Sequence, residues 1–356
     1  MTHFLRDILR QPKELRRTID FLFAEGRPPL DVAAAAIRGA RHVYLTGIGS
    51  SWHAALSAGT LFSLGASPVY MQDAAELLEY ATFPPDATVI VISRSGRSIE
   101  IVKLLAKLHE SRATVIGITN SADGPLASEA QIPLVIPVEP DHAISVNTYS
   151  TLALAAGILA SAVAGALDQK LGALLLAAFE KTESAIEGWQ AQIADSPWFA
   201  RGATTYFLAR GCSVGSCHEA RLLWEEGVKS AATAMGTGSF RHGPQEMVVP
   251  GARFGIWIDG ERLRAQDLAV ARDLKKLGAY VMLIGQNLAE DAGHLVFQIP
   301  DMPRDWQFLI DIIPAQLAAE KLARLSGADS DTFRYCSFIV EDEFGLLQAE
   351  RESPKK

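Results

Sequence analysis

The chain has 356 residues, of which 49% are apolar and 21% are charged, and its formal net charge is −8. This length fits two domains, and the composition excludes an intrinsically disordered chain. The acidic balance and the lack of a run of Lys and Arg argue against a broad nucleic-acid-binding surface. Any anionic ligand must therefore be held by local groups.

The cysteines and the N-terminal residues exclude further classes of protein. Cys212, Cys217 and Cys336 are too few for a disulfide framework, and no His or Cys pair lies at zinc-site spacing. We therefore predict neither a metal nor a cofactor. The first residues lack the apolar core of a signal peptide, and the longest apolar run, from Thr151 to Leu167, is too short to span a membrane. These features predict a cytoplasmic protein without membrane contact.

The first half of the chain alternates between predicted helices and strands. Apolar positions at helical spacing over residues 4–25 predict one or two helices broken near Pro12. Continuous Val and Ile runs that alternate with helices are typical of a parallel sheet covered on both faces. The predicted strands are His42 to Thr46, Pro68 to Met71, Ala87 to Ser93, Ala113 to Thr119 and Ile132 to Ile136, and a helix from Asn147 to Ala166 completes the unit.

The second half repeats this pattern. The strand, turn and helix that begin near Thr204 match those that begin at His42, roughly 160 residues earlier. Three further strands and two helices are predicted at 254–258, 280–284, 295–299, 264–277 and 306–325. We therefore predict an α/β fold with two tandem three-layer αβα domains and flavodoxin-like parallel sheets. The predicted segments are N-terminal helices 1–30, a first domain 31–168, a connecting helix 169–198, a second domain 199–328 and a tail 329–356.

Two serine-bearing turns follow predicted strands of the first domain. The turn Ser93 to Ser98 leaves a buried strand and opens a helix at the carboxyl edge of the sheet, where ligands bind. A helix N-terminus with several hydroxyl groups suits a phosphate, although N-capping by one serine remains the alternative. The turn Gly47 to Ser51 has Trp52 where a dinucleotide fingerprint needs its third glycine. Together, the two turns favour anion binding.

A second group of candidates lies between His218 and His242. Glu219 and Glu226 are seven residues apart and share a helix face, and a buried carboxylate can act as a base near neutral pH. A solvated acidic face is the alternative. His242 lies in a rigid Arg-His-Gly-Pro loop, where it serves either in proton transfer or in structure. We interpret His53 as a packing or capping residue.

These motifs resemble a known family. The segments GIGSSWHA, SRSGRSIE, Ser145 to Thr151, and FRHGP after EARLLWEE are similar to those of tandem sugar isomerase (SIS) domain proteins, over about residues 30–340. Such proteins include the isomerase half of glutamine–fructose-6-phosphate transaminase and the amino-sugar-phosphate deaminase/isomerases. The resemblance implies that a sugar 6-phosphate binds to Ser51, Ser93, Arg94, Ser95, Ser98, Val146, Asn147 and Thr148, with Arg94 in place of the family's usual Gln.

The resemblance also implies the roles of two side chains. Glu226 aligns with the carboxylate that moves the proton, and His242 aligns with a ring-opening histidine that can reach in from a partner subunit, which implies a homodimer. Phe338 and Leu223 replace two lysines of the transaminase. We therefore expect no Schiff base unless another lysine, such as Lys229, forms one. We expect no glutaminase domain before residue 1, and therefore no transfer of ammonia from glutamine.

The sequence thus predicts an isomerase or deaminase that acts on a hexose or hexosamine 6-phosphate by proton transfer. A fructosamine-6-phosphate deglycase is the first alternative, because the segment near Asn147 and the tail could accept a larger amine. A non-catalytic regulator that binds sugar phosphates is the second, since both lysines are missing. A DNA-binding repressor is not expected, because residues 1–30 are too short for a helix-turn-helix domain.

Overall fold

Two separate five-stranded sheets frame the chain in a computed structural model, which describes residues 1–193, 196–200, 202–343 and 345–346. The first sheet contains β1 (His42–Thr46), β2 (Tyr70–Met71), β3 (Ala87–Ser93), β4 (Thr114–Thr119) and β5 (Ile132–Val135). The second contains β6 (Thr205–Ala209), β7 (Ala232–Gly236), β8 (Arg253–Trp257), β9 (Tyr280–Gly285) and β10 (Leu295–Gln298).

Helices cover both sheets. Those of the first half are α1 (His3–Phe23), α2 (Arg27–Gly39), α3 (Ser50–Leu64), α4 (Ala74–Tyr80), α5 (Ile99–Ser111), α6 (Pro125–Glu129), α7 (Asn147–Val163) and α8 (Gln169–Gln192). Those of the second half are α9 (Ser213–Leu223), α10 (Thr237–Phe240), α11 (Arg264–Lys276) and α12 (Ile313–Ser326), and a π-helical turn, Trp224–Val228, extends α9. None of these described helices combines the length and apolar character that a membrane span requires.

The two sheets share one strand order. The first runs β2-β1-β3-β4-β5 and the second β7-β6-β8-β9-β10, and neighbouring strands pair in parallel. This is the flavodoxin-like order, in which the crossover direction reverses beside the first strand of each sheet. All seven residues of β3 are buried, as expected for a central strand with helices on both faces. The predicted fold class is confirmed.

The predicted break near Pro12 is wrong, because α1 continues from His3 to Phe23 with Pro12 inside it. A proline has no N–H to donate to the carbonyl oxygen four residues earlier, which here belongs to Ile8. The side-chain Nε2 of Gln11 donates to that oxygen at 3.4 Å. The replacement donor and the burial of Pro12 against the core let the helix pass through this position.

Three other sequence-based predictions differ from the structure. Strand β7 lies in a segment of small residues with no apolar alternation, and the sequence analysis did not predict it. The helix predicted to begin at Trp306 begins at Ile313, after a short 3-10 turn. Only Tyr70–Met71 of the second predicted strand pairs with β1. Residues 194–195 of the predicted connecting helix, and residues 344 and 347–356 of the predicted tail, lie outside the described residues.

The two domains meet where α3 packs against α9. Gly215 of α9 lies at their closest approach, since a Cβ atom there would be 2.4 Å from the carbonyl oxygen of His53 and 2.1 Å from Oγ of Ser57. The hydroxyl of Ser57 also donates to the carbonyl oxygen of Cys212 at 2.6 Å. This contact places the first turn of α3 beside the helix that carries Glu226.

Candidate active site

A cavity of about 230 Å³ lies at the carboxyl edge of the first sheet. Its walls come from the turns after β1 and β3, from the π-helical turn of the second domain, and from the C-terminal tail. Six of the predicted site residues line it, namely Ser51, Ser93, Arg94, Ser95, Ser98 and Glu226. The structure thus brings both serine turns and the candidate base to one site.

Both turns leave helix N-termini open to this cavity. Gly49 and Ser98 are the N-cap residues of α3 and α5, and neither helix has a side-chain capping hydrogen bond. Within the second turn, the hydroxyl oxygen of Ser93 accepts from the N–H of Gly96 at 3.1 Å, and Gly96 has the positive φ of 65° that this bend requires. Two converging N-termini with hydroxyl groups favour a bound anion.

Glu226 lies in the π-helical turn on the opposite wall of the cavity. Such turns often occur at functional sites because they displace one side chain from the regular helical path. The pKa of Glu226 is raised to about 7, mainly by burial and also by the neighbouring Glu219, whereas Arg94 and Lys229 oppose the shift. At neutral pH the carboxyl group is therefore suited to both accepting and returning a proton.

Arg94 lines the cavity, and its terminal nitrogens donate to groups outside the serine turns. Its Nη1 donates to Oγ of Ser145 at 3.0 Å, and its Nη2 donates to the carbonyl oxygen of Phe338 at 2.6 Å. The guanidinium also lies over the ring of Phe338, 4.0 Å from its centroid. Arg94 thus joins the cavity wall to the C-terminal tail.

The C-terminal tail, which the sequence analysis linked to the site only through Phe338 and the deglycase alternative, forms one wall of the cavity. Phe333 and residues 336–340 line the cavity, and the carbonyl oxygen of Val340 accepts from the N–H of Ile99 at 3.0 Å. The other end of the tail is fixed by Asp331, whose carboxylate accepts from the N–H groups of His3 and Phe4 at 2.9 and 2.8 Å. No short-range sequence signal indicates these contacts, because they join opposite ends of the chain.

The structure does not place Val146, Asn147 and Thr148 in the cavity. All three are buried at the start of α7, where the carboxylate of Asp141 accepts from their backbone N–H groups at 2.9 to 3.0 Å. Asp141 also accepts from the side chains of Asn147 and Thr148. An internal carboxylate therefore occupies the anion-binding N-terminus of α7, and the neighbouring Ser145 lines the cavity instead.

The structure does not place His242 in the cavity either. It follows α10 in an exposed loop, where its N–H donates to the carbonyl oxygen of Ser239 at 3.0 Å, and it is not among the residues that line the cavity. Within one chain, the structure thus does not bring His242 into the cavity that contains Glu226.

The second sheet has a cavity of about 170 Å³ at its corresponding edge, but this one is poorly suited to a phosphate. The carboxylate of Asp259 accepts from the N–H groups of Glu261 and Leu263 at 2.9 and 3.2 Å, so an acidic side chain already occupies these donors. Arg262, which also lines this cavity, is paired with Asp305 at 2.5 and 3.0 Å. The cavity of the first sheet is therefore the candidate active site.

Comparison with known proteins identifies the first domain. The profile of the SIS domain family matches residues 36–163. These residues form a SIS domain. They contain β1 to β5 and both serine turns, so the cavity with Glu226 is formed on one side by the SIS domain and on the other by the second domain and the tail.

Similarity to known proteins extends beyond the SIS domain. The chain is 26% identical over 355 residues to a glutamine–fructose-6-phosphate aminotransferase (isomerizing) from Pyrobaculum aerophilum, with 96% of this chain and 58% of the relative covered. This chain thus spans little more than half the length of that relative.

Solved structures show the same fold. The C-terminal domain of a glucosamine-fructose-6-phosphate aminotransferase from Francisella tularensis superposes with a TM-score of 0.81 at 21% identity, with 93% of this chain and 98% of that chain covered. A glucosamine-6-phosphate deaminase from Thermotoga maritima gives a TM-score of 0.77 at 21% identity, with 95% and 99% covered. At this identity the likeness establishes the fold of the chain and not its reaction.

The lysine substitutions noted in the sequence now have structural positions. Phe338 packs against Arg94 at the SIS domain's cavity, and Leu223 is fully buried at the end of α9. Lys229 lines a neighbouring cavity that also contacts Glu226, and its Nζ donates to the carbonyl oxygens of Glu226 and Thr332. Its amine thus takes part in joining the π-helical turn to the tail.

Proposed function

We propose that this chain is a phosphosugar isomerase or deaminase that acts on a hexose or hexosamine 6-phosphate. The observation that carries the proposal is that Glu226 shares one cavity with two serine-bearing helix N-termini. A phosphate held at the N-termini would anchor the substrate, and this remote binding energy would position the reacting carbons beside the carboxylate. The names of the similar proteins, which include a fructose-6-phosphate aminotransferase and a glucosamine-6-phosphate deaminase, support this substrate class.

The chemistry follows from one proton transfer. The Glu226 carboxylate takes the proton from C2 of the open-chain aldose and returns it to C1, while a hydroxyl proton passes from O2 to O1, so that the aldose becomes the ketose through an enediol. When C2 carries an amine, the same transfer passes through an enolamine to an imine, which water hydrolyses to ammonia and the ketose phosphate. A positioned base of this kind contributes about 10² to 10⁴ in rate.

Ring opening needs a further acid, and we assign it to His242 from a second copy of the chain. The exposure of the His242 loop, together with the absence of His242 from the lining of the Glu226 cavity within one chain, supports this assignment. The functional unit in this proposal is a homodimer whose two sites each combine both subunits.

A deglycase that cleaves fructosamine 6-phosphates is the second candidate, and a specific observation favours it. The neighbouring cavity, of about 370 Å³, shares Glu226, Phe333 and Cys336 with the first. The amino-acid portion of a fructosamine would fit there while the phosphate occupies the serine turns. Release of amino acid from a fructoselysine-type 6-phosphate, without release of ammonia from glucosamine 6-phosphate, would select this alternative.

One experiment tests the proposed reaction. A thermal-shift screen of hexose and hexosamine 6-phosphates identifies the ligand, and isomerase and ammonia assays then measure its turnover. Glu226→Gln should lose about 10² to 10⁴ in kcat while it retains ligand binding. Glu225→Gln is the matched control, since Glu225 is paired with Arg221 at 2.6 Å and does not line the cavity of the serine turns. Undiminished turnover in Glu226→Gln, or no turnover of any phosphosugar by the wild type, would refute the proposal.

A further inference from the structure

Glu219 is a fully buried carboxyl group that the proposed reaction does not use. Its Oε1 accepts from the hydroxyl of Ser50 at 3.0 Å, and its Oε2 lies 2.7 Å from Nδ1 of His53, whose side chain is only 5% exposed. Glu219 belongs to the second domain, whereas Ser50 and His53 belong to the first turn of α3 in the SIS domain. These three side chains therefore form a polar contact across the domain boundary.

This polar contact lies close to groups that the proposed reaction uses. Ser50 lines the candidate active site beside the proposed phosphate position, and Glu219 precedes Glu226 by seven residues, about two turns, on the same helical segment. The distance between the anchored phosphate and the base thus depends on how α3 sits against α9. The close approach at Gly215, one turn before Glu219, brings the carboxyl group within reach of α3.

We propose that Glu219 is a positioning residue of the reaction: as a neutral acid it holds the Ser50 turn and His53 against the helix that carries Glu226. The inference rests on the proposed function, which it deepens. A protonated Glu219 donates through Oε2 to Nδ1 of neutral His53 and accepts at Oε1 from Ser50. All three side chains are then satisfied without a buried charge.

The surroundings favour these neutral forms. Burial raises the pKa of Glu219 to about 8 and lowers that of His53 to about 3. The titratable groups that face this contact from the packed elements are Tyr149 on α7, Asp141 before α7, and His218, Arg221, Glu225 and Glu226 on the same helical segment as Glu219. Arg221 is already paired with Glu225, so it does not form a direct ion pair that would hold Glu219 ionised.

The arrangement also fixes the role of Ser50. Because its only hydroxyl proton is directed to Glu219, its oxygen can present only lone pairs to the cavity. The site therefore offers a hydrogen-bond acceptor at this point, which suits a hydroxyl or amino group of the substrate.

The test is a comparison of four variants. Glu219→Gln reproduces the neutral acid, since its amide nitrogen donates to His53 and its oxygen accepts from Ser50, so kcat should remain within about threefold of wild type. Glu219→Ala should lose about 10- to 100-fold in kcat with little change in phosphosugar affinity, because misplacement by about 1 Å costs this much. Ser50→Ala should lose a similar factor, and the Ser50→Ala/Glu219→Ala double variant should lose no more than the larger single loss.

A pH profile separates positioning from a purely structural role. In the wild type, loss of the Glu219 proton above pH 8 should lower kcat, and Glu219→Gln should remove this alkaline decline. Equal inactivity of Glu219→Gln and Glu219→Ala, additive losses in the double variant, or an unchanged alkaline limb would each overturn the inference. If Glu219→Ala does not fold, the kcat of Ser50→Ala and the alkaline limb of the Glu219→Gln profile still test the inference about Glu219. If the wild type turns over a phosphosugar and Glu226→Gln is inactive, the proposed function stands, and a failed test of the variants concerns only the role of Glu219. An inactive wild type refutes both the role of Glu219 and the proposed function.

Discussion

The guanidinium of Arg94 and the ring of Phe338 lie face to face, 4.0 Å apart, although the two residues are 244 positions apart in the chain. The carbonyl oxygen of Phe338 accepts from Nη2 of the same guanidinium at 2.6 Å. A half-buried cation over an aromatic face contributes about 0.5–2 kcal/mol. This pair therefore attaches the tail to the wall of the candidate active site.

Arg94→Gln should loosen the tail, because Gln cannot provide the stacking face or reach Phe338 with the same geometry. We expect faster amide hydrogen exchange over residues 333–343, measured by mass spectrometry. Arg97→Gln is the matched control, since Arg97 lies in the same turn but donates to the carbonyl oxygen of Asp123. Equal exchange rates in the wild type and in Arg94→Gln would contradict the assigned role.

The pH dependence of the reaction should reflect the ionisation of the Glu226 carboxyl group. Its pKa in the folded protein is raised to about 7, so the carboxylate that accepts the substrate proton is present above this pH and is lost as the pH falls through it. We expect kcat/KM for the phosphosugar to decline below about pH 7. Glu225→Gln removes only the smallest of the contributions that raise this pKa, so it should move the acid limb slightly to lower pH. An acid limb near pH 4.5, the ordinary value for a glutamate, would show that Glu226 is not the base.

The hydroxyl of Ser98 should contribute to the binding of the phosphate. Ser98→Ala removes a donor at the N-terminus of α5 without breaking a capping hydrogen bond. A hydrogen bond to a charged group contributes about 1.5–3 kcal/mol, so the affinity for the phosphorylated sugar should fall about 10- to 100-fold. Calorimetry would measure this loss, with the unphosphorylated sugar as the comparison ligand and Ser128→Ala, on α6, as the control variant. Equal losses for both sugars would argue against a phosphate contact.

Gly215→Ala should destabilise the contact between the two domains. The added Cβ would overlap the backbone oxygen of His53, and overpacking of this kind costs about 1–3 kcal/mol. Gly188→Ala on α8 is the matched control, and it should raise the free energy of unfolding. Nothing lies within 4 Å of its Cβ position, and alanine is favoured in a helix interior by about 0.5–1 kcal/mol. Denaturant unfolding measures both changes, and a stabilised Gly215→Ala would refute the close approach.

Two inactive variants should restore activity when they are mixed, if His242 enters the partner's site. A dimer of Glu226→Gln and His242→Ala subunits contains one site with both native residues. After subunit exchange of equal amounts, about a quarter of the wild-type activity should return, because half of the dimers are mixed and each has one complete site. A mixture as inactive as its components, with exchange verified by mass spectrometry, would place His242 outside the reaction.

Much of the fold and part of the site could be predicted from local sequence patterns. Strands β1 and β3 were predicted at their observed bounds, because a buried parallel strand reads as a short continuous apolar run. The serine turns were predicted at the carboxyl edge of the sheet, since this edge gathers the turns that follow parallel strands, and the structure places Glu226 in the same cavity. The continuous helix through Pro12 was missed, because a side chain of Gln11 replaces the absent backbone donor.

The sequence by itself determined the alternation of strands and helices and the residue types at the sheet edge, since both depend on neighbours within a few positions. Only the tertiary structure decided which of these groups meet. Asp141 occupies the start of α7, Phe338 covers Arg94, and Glu219 joins Ser50 and His53. The last two contacts join residues more than 160 positions apart, and the burial that raises the pKa values of Glu219 and Glu226 exists only once the two domains pack.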